Sequence, residues 1–319
     1  MKPLLRPGTS VVRRSARALQ IGTVAGAALV VADRQGVAAV LRGADGTRDL
    51  DTIAATSQLP RAVVAQAAAS LLEAGALLDA RTWDDVGGAA LMGEARALAA
   101  CGESREQVAD RLRARSAAPV EIVGDRLTED LARRLGQILG EAGADLVGTI
   151  GAQGAPALVV VTSAGPSPRE AFDVLTGEGV AHLPVVCEAD RVRVGPLVRP
   201  GLTPCVRCDD VDRAGYEPTW PFVLEQLARP IAQAPATHPH ALDTLTGYRV
   251  AVHLAGLVLA FCDGRPSAAE GAVQVLGPGV QVGAVTAVAL QPDCPCQILT
   301  AGDGFDPRVR VARGVRMTA

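Results

Sequence analysis

A CxxC pair ends the segment Pro200-Gly201-Leu202-Thr203-Pro204-Cys205-Val206-Arg207-Cys208, and a CxC pair lies in Pro292-Asp293-Cys294-Pro295-Cys296. A structural zinc ion takes four thiolates in a tetrahedron, and two short-loop cysteine pairs can supply them. The sequence therefore predicts that Cys205, Cys208, Cys294 and Cys296 hold one Zn²⁺. Four thiolates leave no open coordination position, so this site is expected to be structural and not catalytic.

The chain has seven cysteines, so the four could instead be small buried hydrophobic residues. Two close pairs are a pattern that scattered cysteines rarely produce, which favours the metal. The other three, Cys101, Cys187 and Cys262, stand alone and are expected to be core residues.

Length and composition indicate a globular chain with room for two domains. Of the 319 residues 49% are hydrophobic and 20% charged, and the net charge of −3 gives no basic field for nucleic acid. Lys2 is the only lysine, so the folded body lacks a lysine for phosphate binding or catalysis. No secretory signal is recognisable, and no apolar run is long enough to span a bilayer. With thiolate ligands, these features predict a protein of the reducing cytoplasm.

Residues 1–82 are predicted to form a winged helix-turn-helix (α+β) domain. Hydrophobic periodicity and turn residues place strands over 17–22 and 27–31, helices over 36–42, 50–56 and 60–73, and a wing strand over 76–79. This order of a strand pair, three helices and a wing is the pattern of a winged helix.

A helical connector is predicted over 83–117 and a second domain over 118–319. In the second domain, strands over 120–124, 145–150, 157–162 and 182–187 alternate with helical segments. This alternation predicts an α/β fold with a doubly wound, mostly parallel sheet. The short segment 192–196 is expected to be an edge strand.

A nucleotide site in such a sheet needs a glycine-rich loop after the first strand. Here the loop reads Gly124-Asp125-Arg126-Leu127-Thr128-Glu129, which keeps only the first glycine of the fingerprint. Asp125 and Glu129 also place negative charge where phosphates would lie. The segment 148–154 spaces its glycines better but has no neighbouring lysine. ATP binding is therefore not expected.

Other polar residues have simple structural interpretations. The loop pair His238 and His240 is expected to be solvated, and His253 to be a satisfied core group within an apolar helix. Asp209, Asp210 and Asp212 follow the CxxC pair and could bind Mg²⁺, although a charged helix start is the simpler interpretation.

From Pro184 onward the sequence resembles a known family. The matching motifs are Pro184-Val185-Val186, Val194-Gly195-Pro196-Leu197-Val198, Pro200 to Cys205, Cys208-Asp209-Asp210-Val211-Asp212-Arg213 and Pro218-Thr219-Trp220-Pro221. The family is that of the ubiquitin-activating-enzyme-like (ThiF-type) cyclodehydratase partners of thiazole/oxazole-modified microcin (TOMM) clusters, also called precursor leader-peptide-binding proteins. Cys294 and Cys296 are similar to its second zinc knuckle, and residues 1–82 to its RiPP recognition element.

The resemblance implies a division of labour in ribosomal peptide natural product biosynthesis. The winged domain would bind the leader of a precursor peptide. A separate YcaO-type protein would use ATP to cyclise Cys, Ser or Thr residues to azolines. This chain would then be a scaffold subunit that is not catalytic alone, with structural zinc and without ATP. A homodimer is left open.

Leader binding is expected to occur by strand addition, in which an extended peptide pairs with a sheet edge and lies against the third helix. The predicted contacts are Val63, Val64, Gln66, Ala67 and Ser70 on that helix, and Leu77 in the wing. The alternative is that Val64, Ala67 and Leu71 are core residues.

Two other functions are compatible with parts of the sequence. A ThiF-like adenylating enzyme that activates a carboxylate with ATP would share the fold, but the lysine and the glycine loop are missing. A winged-helix DNA-binding regulator would need several cations for phosphates, whereas the third helix carries only Arg61. Nucleic acid and membranes are therefore not expected partners.

Overall fold

Two units make up the chain, Met1–Leu112 and Arg113–Ala319. The structure is a computed structural model that describes residues 1–6, 9–24, 26, 28–83, 86–147, 155–188, 191–227, 242–277 and 282–296. The division falls inside the second helix of the predicted connector, and the domain boundaries at 82 and 117 stay predictions.

The first unit combines helices with two small antiparallel sheets. Its strands are β1 (Pro3–Leu5), β2 (Val11–Ser15), β3 (Ala18–Ile21), β4 (Leu29–Ala32) and β5 (Leu77–Asp79), and its helices are α1 (Val37–Gly43), α2 (Leu50–Ser57), α3 (Arg61–Glu73) and α4 (Gly88–Ala100). Helix α5 (Arg105–Ala117) begins in the first unit and ends in the second. One sheet has the order β2-β3-β4, and β1 pairs with β5. The three predicted helices are present, and the predicted wing strand β5 has β1 as its partner. The winged-helix assignment itself stays a prediction.

The core of the first unit lies between α1, α2, α3 and the strands. Val40, Ile53, Val64, Leu71 and Leu77 are each at most 2% exposed in this cluster. Apolar residues at positions 64, 67, 68 and 71 of α3 recur at helical spacing, so one face of the helix is buried while the neighbouring face stays accessible.

The second unit is built around one six-stranded sheet. Its elements are β6 (Val120–Gly124), α6 (Glu129–Glu141), β7 (Leu158–Ala164), α7 (Arg169–Gly177), β8 (Ala181–Glu188), β9 (Arg191–Val194), α8 (Val206–Tyr216), α9 (Trp220–Leu227), α10 (Thr244–Cys262), β10 (Ala272–Leu276) and β11 (Val282–Ala287). The sheet order is β11-β10-β9-β8-β7-β6.

The sheet is parallel in its first half and antiparallel in its second. Strands β6, β7 and β8 pair in parallel, as the doubly wound prediction requires. Strands β9, β10 and β11 extend the sheet with antiparallel pairs. The prediction that 192–196 is an edge strand was wrong, because β10 pairs with the free side of β9. Of the predicted strand 145–150, the described part forms an isolated bridge between Leu146 and Val120, and 148–150 lie outside the described residues.

Both faces of the parallel strands are covered, which explains their continuous apolar sequence. Leu158 and Val160 of β7 pack in one cluster with residues of α6 and α10. Val159 and Val161 point to the other face and pack in a cluster with Phe172 of α7.

Helix α10 is, among the described residues, the one helix long and apolar enough to cross a membrane by length and composition. Its Val250, Leu254 and Val258 are fully buried in the sheet cluster. Packing against the sheet therefore accounts for its apolar sequence.

A buried ion pair joins α5 to the end of α10 and supports a stability prediction. Arg115 Nε lies 2.8 Å from Asp263 Oδ1, and these side chains are 4% and 1% exposed. Replacing Asp263 with alanine leaves the guanidinium buried without its carboxylate and is expected to cost about 3–5 kcal/mol of unfolding free energy. Urea unfolding measures this, and Arg265→Ala is the control, because Arg265 contacts the same carboxylate from an exposed position. A cost for Asp263→Ala no larger than that of the control would contradict the prediction.

Candidate metal centre and surface groove

The four predicted cysteines converge on one point. The Sγ atoms of Cys205, Cys208, Cys294 and Cys296 all lie within 4.8 Å of one another. The Cys205–Cys208, Cys205–Cys294 and Cys208–Cys296 sulfur distances are 3.8, 3.6 and 3.6 Å. Four sulfurs at about 2.3 Å from a zinc ion lie about 3.8 Å apart, so the cluster has the size of a tetrahedral zinc site. The distances are far too long for disulfides, and all four cysteines are free.

Local structure brings the first pair into place. Cys205 is the N-cap residue of α8 and Cys208 lies in its first turn, so the CxxC spacing puts both thiols at the same helix end. The helix dipole favours negative charge at this end and so favours thiolates.

The second pair is held by Asp212 of α8. Its carboxylate accepts hydrogen bonds from the backbone N–H of Ala289, at 2.6 Å, and from the side chain of Gln291. The N–H of Cys294 in turn donates to the Gln291 carbonyl at 3.0 Å. Asp212 thus fixes the segment before the CxC pair against the helix that carries the CxxC pair. Sequence reasoning missed this positioning role.

Electrostatics of the cluster favour a bound cation. Burial raises the pKa of the Cys205 thiol, and burial with the neighbouring thiols raises the pKa of Cys296 to about 11. Burial also opposes ionisation of Cys294, but hydrogen bonds from Cys296 and the neighbouring thiols lower its pKa. A divalent ion would displace the protons that burial holds on Cys205 and Cys296 and so gain thiolate ligands. The donor set, its spacing and its burial fit Zn²⁺ in a closed structural site.

The other acidic residues after the CxxC pair are engaged in ion pairs. Asp210 binds Arg169 through two contacts of 2.8 Å and accepts a hydrogen bond from Trp220 Nε1 at 3.0 Å. Asp209 pairs with Arg193 of β9. These contacts tie α8 to α7 and β9. They support the structural interpretation of the acidic run over the Mg²⁺ interpretation.

Among the described residues, the remaining cysteines and histidines do not join the cluster. Cys187 and Cys262 are buried as predicted, whereas Cys101 is exposed, so its assignment to the core was wrong. His253 is satisfied by Gln274 Oε1 at 2.6 Å, as predicted. His238 and His240 lie outside the described residues.

The carboxylate of Asp125 lies after β6, where a nucleotide phosphate binds in related sheet folds. One carboxylate oxygen of Asp125 accepts from the N–H groups of Leu127 and Thr128 at 3.0 and 2.9 Å, and the other accepts from Ala164 N–H at 2.6 Å. These donors lie just before α6 and at the end of β7, where a phosphate would bind in such folds. A Cβ at Gly124 would lie 2.9 Å from Thr162 Oγ1, so this glycine serves close strand packing. The alternative glycine segment 148–154 lies outside the described residues.

A surface groove separates β4 from α3 in the first unit. Its volume is about 450 Å³, and its lining residues are Val31, Ala32, Arg34, Gln35 and Val37 on the strand side and Val63, Gln66, Ala67, Ser70 and Leu71 on the helix side. Strand β4, whose Val31 and Ala32 line the groove, pairs only with β3 among the described strands, so its other edge is open in the described part of the chain.

Four of the six predicted peptide contacts line this groove: Val63, Gln66, Ala67 and Ser70. All six contacts stay predictions, but burial sets Val64 and Leu77 apart from the groove. Val64 is fully buried and Leu77 is 2% exposed, and both belong to the core. Ala67 and Leu71, which line the groove, are 6% and 2% exposed and belong to the same core, as the alternative interpretation expected. Sequence reasoning also missed the strand side of the groove, from Val31 to Val37.

No protein-family model matches the chain, and no curated protein matches it. Solved structures are similar to it. A heterocyclase in complex with substrate and cofactor has a TM-score of 0.61 and 16% identity, covering 93% of this chain and 39% of its own. The heterocyclase TruD has a TM-score of 0.60 and 17% identity, covering 92% of this chain and 42% of its own. Escherichia coli MccB with AMPCPP and selenomethionine MccA has a TM-score of 0.53 and 11% identity, and the match covers 93% of this chain and 99% of the MccB chain.

The chain spans about two fifths of the length of the heterocyclases it matches. Identities this low show a shared fold and not a shared activity. The chain has the fold found in heterocyclases and in MccB, which confirms, at the level of the fold, the resemblance to TOMM cyclodehydratase-type proteins.

Proposed function

We propose that this chain is the leader-peptide-binding scaffold subunit of an azoline-forming cyclodehydratase, working in the cytoplasm with a YcaO-type ATP-dependent partner. The observation that carries the proposal is the groove between α3 and the open edge of β4. An open edge offers unpaired backbone groups, and the groove beside it offers space for alternate side chains, which is what strand addition requires.

The similar structures support a role in peptide modification. One is a heterocyclase with its substrate and cofactor, and another is MccB with MccA. Because this chain corresponds to about two fifths of the heterocyclases, we assign the ATP-dependent ring-forming step to the YcaO-type partner. The zinc ion, in this proposal, only stabilises the second unit.

Adenylation is the second candidate function, because MccB with AMPCPP has a similar fold over almost its whole length. Asp125 argues against it. A nucleotide phosphate would have to displace this carboxylate from three backbone N–H groups and then lie next to its charge. The two negative charges would then repel each other across a few ångströms.

Wild-type protein is accordingly expected to show neither ATP–pyrophosphate exchange nor thermal stabilisation by Mg·ATP. Asp125→Ala is expected to lower the unfolding free energy by about 1–2 kcal/mol, because three donors lose their acceptor. Glu129→Ala, in the first turn of α6, is the control and should change stability by less. Exchange clearly above background in the wild type would favour the adenylating enzyme.

The direct test of the proposal is leader binding. A labelled leader from a short Cys/Ser/Thr-rich precursor encoded beside this gene should bind the full chain in an anisotropy titration. The core part of the same precursor, without its leader, should not compete. Absence of leader binding at any accessible concentration would refute the scaffold role.

A further inference from the structure

The groove between α3 and β4 has a distinct chemical character. Six lining residues are apolar: Val31, Ala32, Val37, Val63, Ala67 and Leu71. Gln35, Gln66 and Ser70 are polar and uncharged. Among the described residues that line the groove, Arg34 is the one that is charged, and none is a carboxylate. The neighbouring Asp33 pairs with Arg13 at 2.8 Å. The lining therefore favours a ligand that is apolar with one negative charge.

The position of the charge along the groove can be read from the turn after β4. A Cβ at Gly36 would lie 3.1 Å from Val63 Cγ1, and Gly36 has a φ of +89° that favours glycine. The turn therefore packs closely against the first turn of α3. Arg34 belongs to the same turn, because its carbonyl accepts a hydrogen bond from the Val37 N–H. It therefore lies at this end of the groove. Leu71 lies toward the other end of the helix.

The length of the groove sets how many ligand side chains it accepts. From Val63 to Leu71 the helix advances about 12 Å, at about 1.5 Å per residue. An extended peptide covers this distance with about four residues, and alternate side chains face the same way. About two side chains can thus point at α3. Ala67 and Ser70 are small, so the space opposite them suits large side chains of the ligand.

Strand β4 has backbone groups that an added peptide strand can pair with beside the groove. Asp33 N–H donates to the Arg17 carbonyl, and Val31 is paired with Leu19 two residues earlier. In an antiparallel ladder the backbone groups of alternate residues point to the two sides. Those of Val30 therefore point away from β3, toward the open edge.

We propose, on the basis of the proposed function, that the groove selects a leader segment with two large apolar side chains at alternate positions and an Asp or Glu next to Arg34. Arg34 is then the residue that sets the charge preference of the groove. The apolar pair contributes most of the affinity by burial against Val31 and Val63, and the carboxylate fixes the register.

The test needs no known precursor. A displayed library of random peptides is selected on the immobilised full chain and, in parallel, on Arg34→Glu. Wild-type selection should enrich an acidic residue flanking an alternating apolar pair, and the variant should shift the enrichment to Lys or Arg. In anisotropy, Arg34→Glu should weaken the best wild-type peptide about fivefold or more. Arg14→Glu, on the strand at the other edge of the sheet, should not weaken it.

The outcomes separate this inference from the function on which it rests. Ser70→Trp, which fills the groove, serves as the common control. Peptides that lose binding on Ser70→Trp but show no charge preference would overturn the role of Arg34 and leave the peptide groove standing. If no selected peptide is sensitive to Ser70→Trp, the groove is not a peptide site, and both proposals fail.

Discussion

Replacing Cys208 with serine is expected to abolish stoichiometric zinc binding and to unfold much of the second unit. Cys208 is fully buried, and its Sγ lies within 4 Å of two other cluster sulfurs. Structural zinc sites contribute on the order of 10 kcal/mol, comparable with the whole stability of a domain. The cysteines also belong to the cluster that packs under β7 and α7, so loss of the ion would expose this core face.

Elemental analysis and circular dichroism test this prediction together. Wild-type protein should contain one zinc per chain, and a strong chelator should produce the same loss of structure as the substitution. Cys101→Ser is the matched control, because Cys101 is exposed and outside the cluster. A Cys208→Ser protein that keeps one zinc per chain and its thermal midpoint would show that the cluster is not a metal site.

Filling the groove with Ser70→Trp is expected to weaken leader binding at least tenfold, which corresponds to about 1.4 kcal/mol. Ser70 is exposed on α3 and lines the groove, so an indole can occupy the space opposite β4 without entering the core. A peptide strand would then be separated from Val31 and Val63 and lose its apolar contacts.

The adjacent residue provides the control for this variant. Ala69 is exposed on the same helix but does not line the groove, so Ala69→Trp carries the same bulk to the wrong face. It should bind the labelled leader like the wild type. Equal effects of both variants would mean that helix stability, and not groove occupancy, controls binding.

Local signals made the metal centre predictable from sequence. The CxxC and CxC spacings determine that each pair of thiols stays together, so only the long-range meeting of the pairs had to be inferred. Asp212 carries no such signal. Its contacts to Ala289 and Gln291 depend on the path of the chain after β11. The acidic run alone does not show whether a carboxylate holds a distant segment or only stands near the start of a helix.

The sequence pattern was ambiguous at α3 and misleading at β9, for physical reasons. Helix α3 is rich in alanine, so its core face and its groove face are nearly equal in hydrophobicity, and Val64 could not be separated from Val63 by pattern. Segment 191–194 has charged residues that suggest an edge. Its arginine at 193 is instead paired with Asp209, which permits an interior position between β8 and β10.

The loss of the glycine fingerprint after β6 was visible in the sequence, but the hydrogen bonds that Asp125 makes there were not. Sequence alone showed that Asp125 disfavours phosphate by its charge. The structure adds that the same carboxylate accepts hydrogen bonds from the N–H groups of Leu127, Thr128 and Ala164.

Reconstitution of ring formation tests the scaffold role most directly. Precursor peptide, the YcaO-type partner, Mg·ATP and this chain are combined, and loss of one water mass per ring is followed by mass spectrometry. We predict dehydration with wild-type chain, strong reduction with Ser70→Trp or with leaderless precursor, and full activity with Ala69→Trp. Dehydration that proceeds equally well without this chain, or that Ser70→Trp leaves unchanged, would contradict the account.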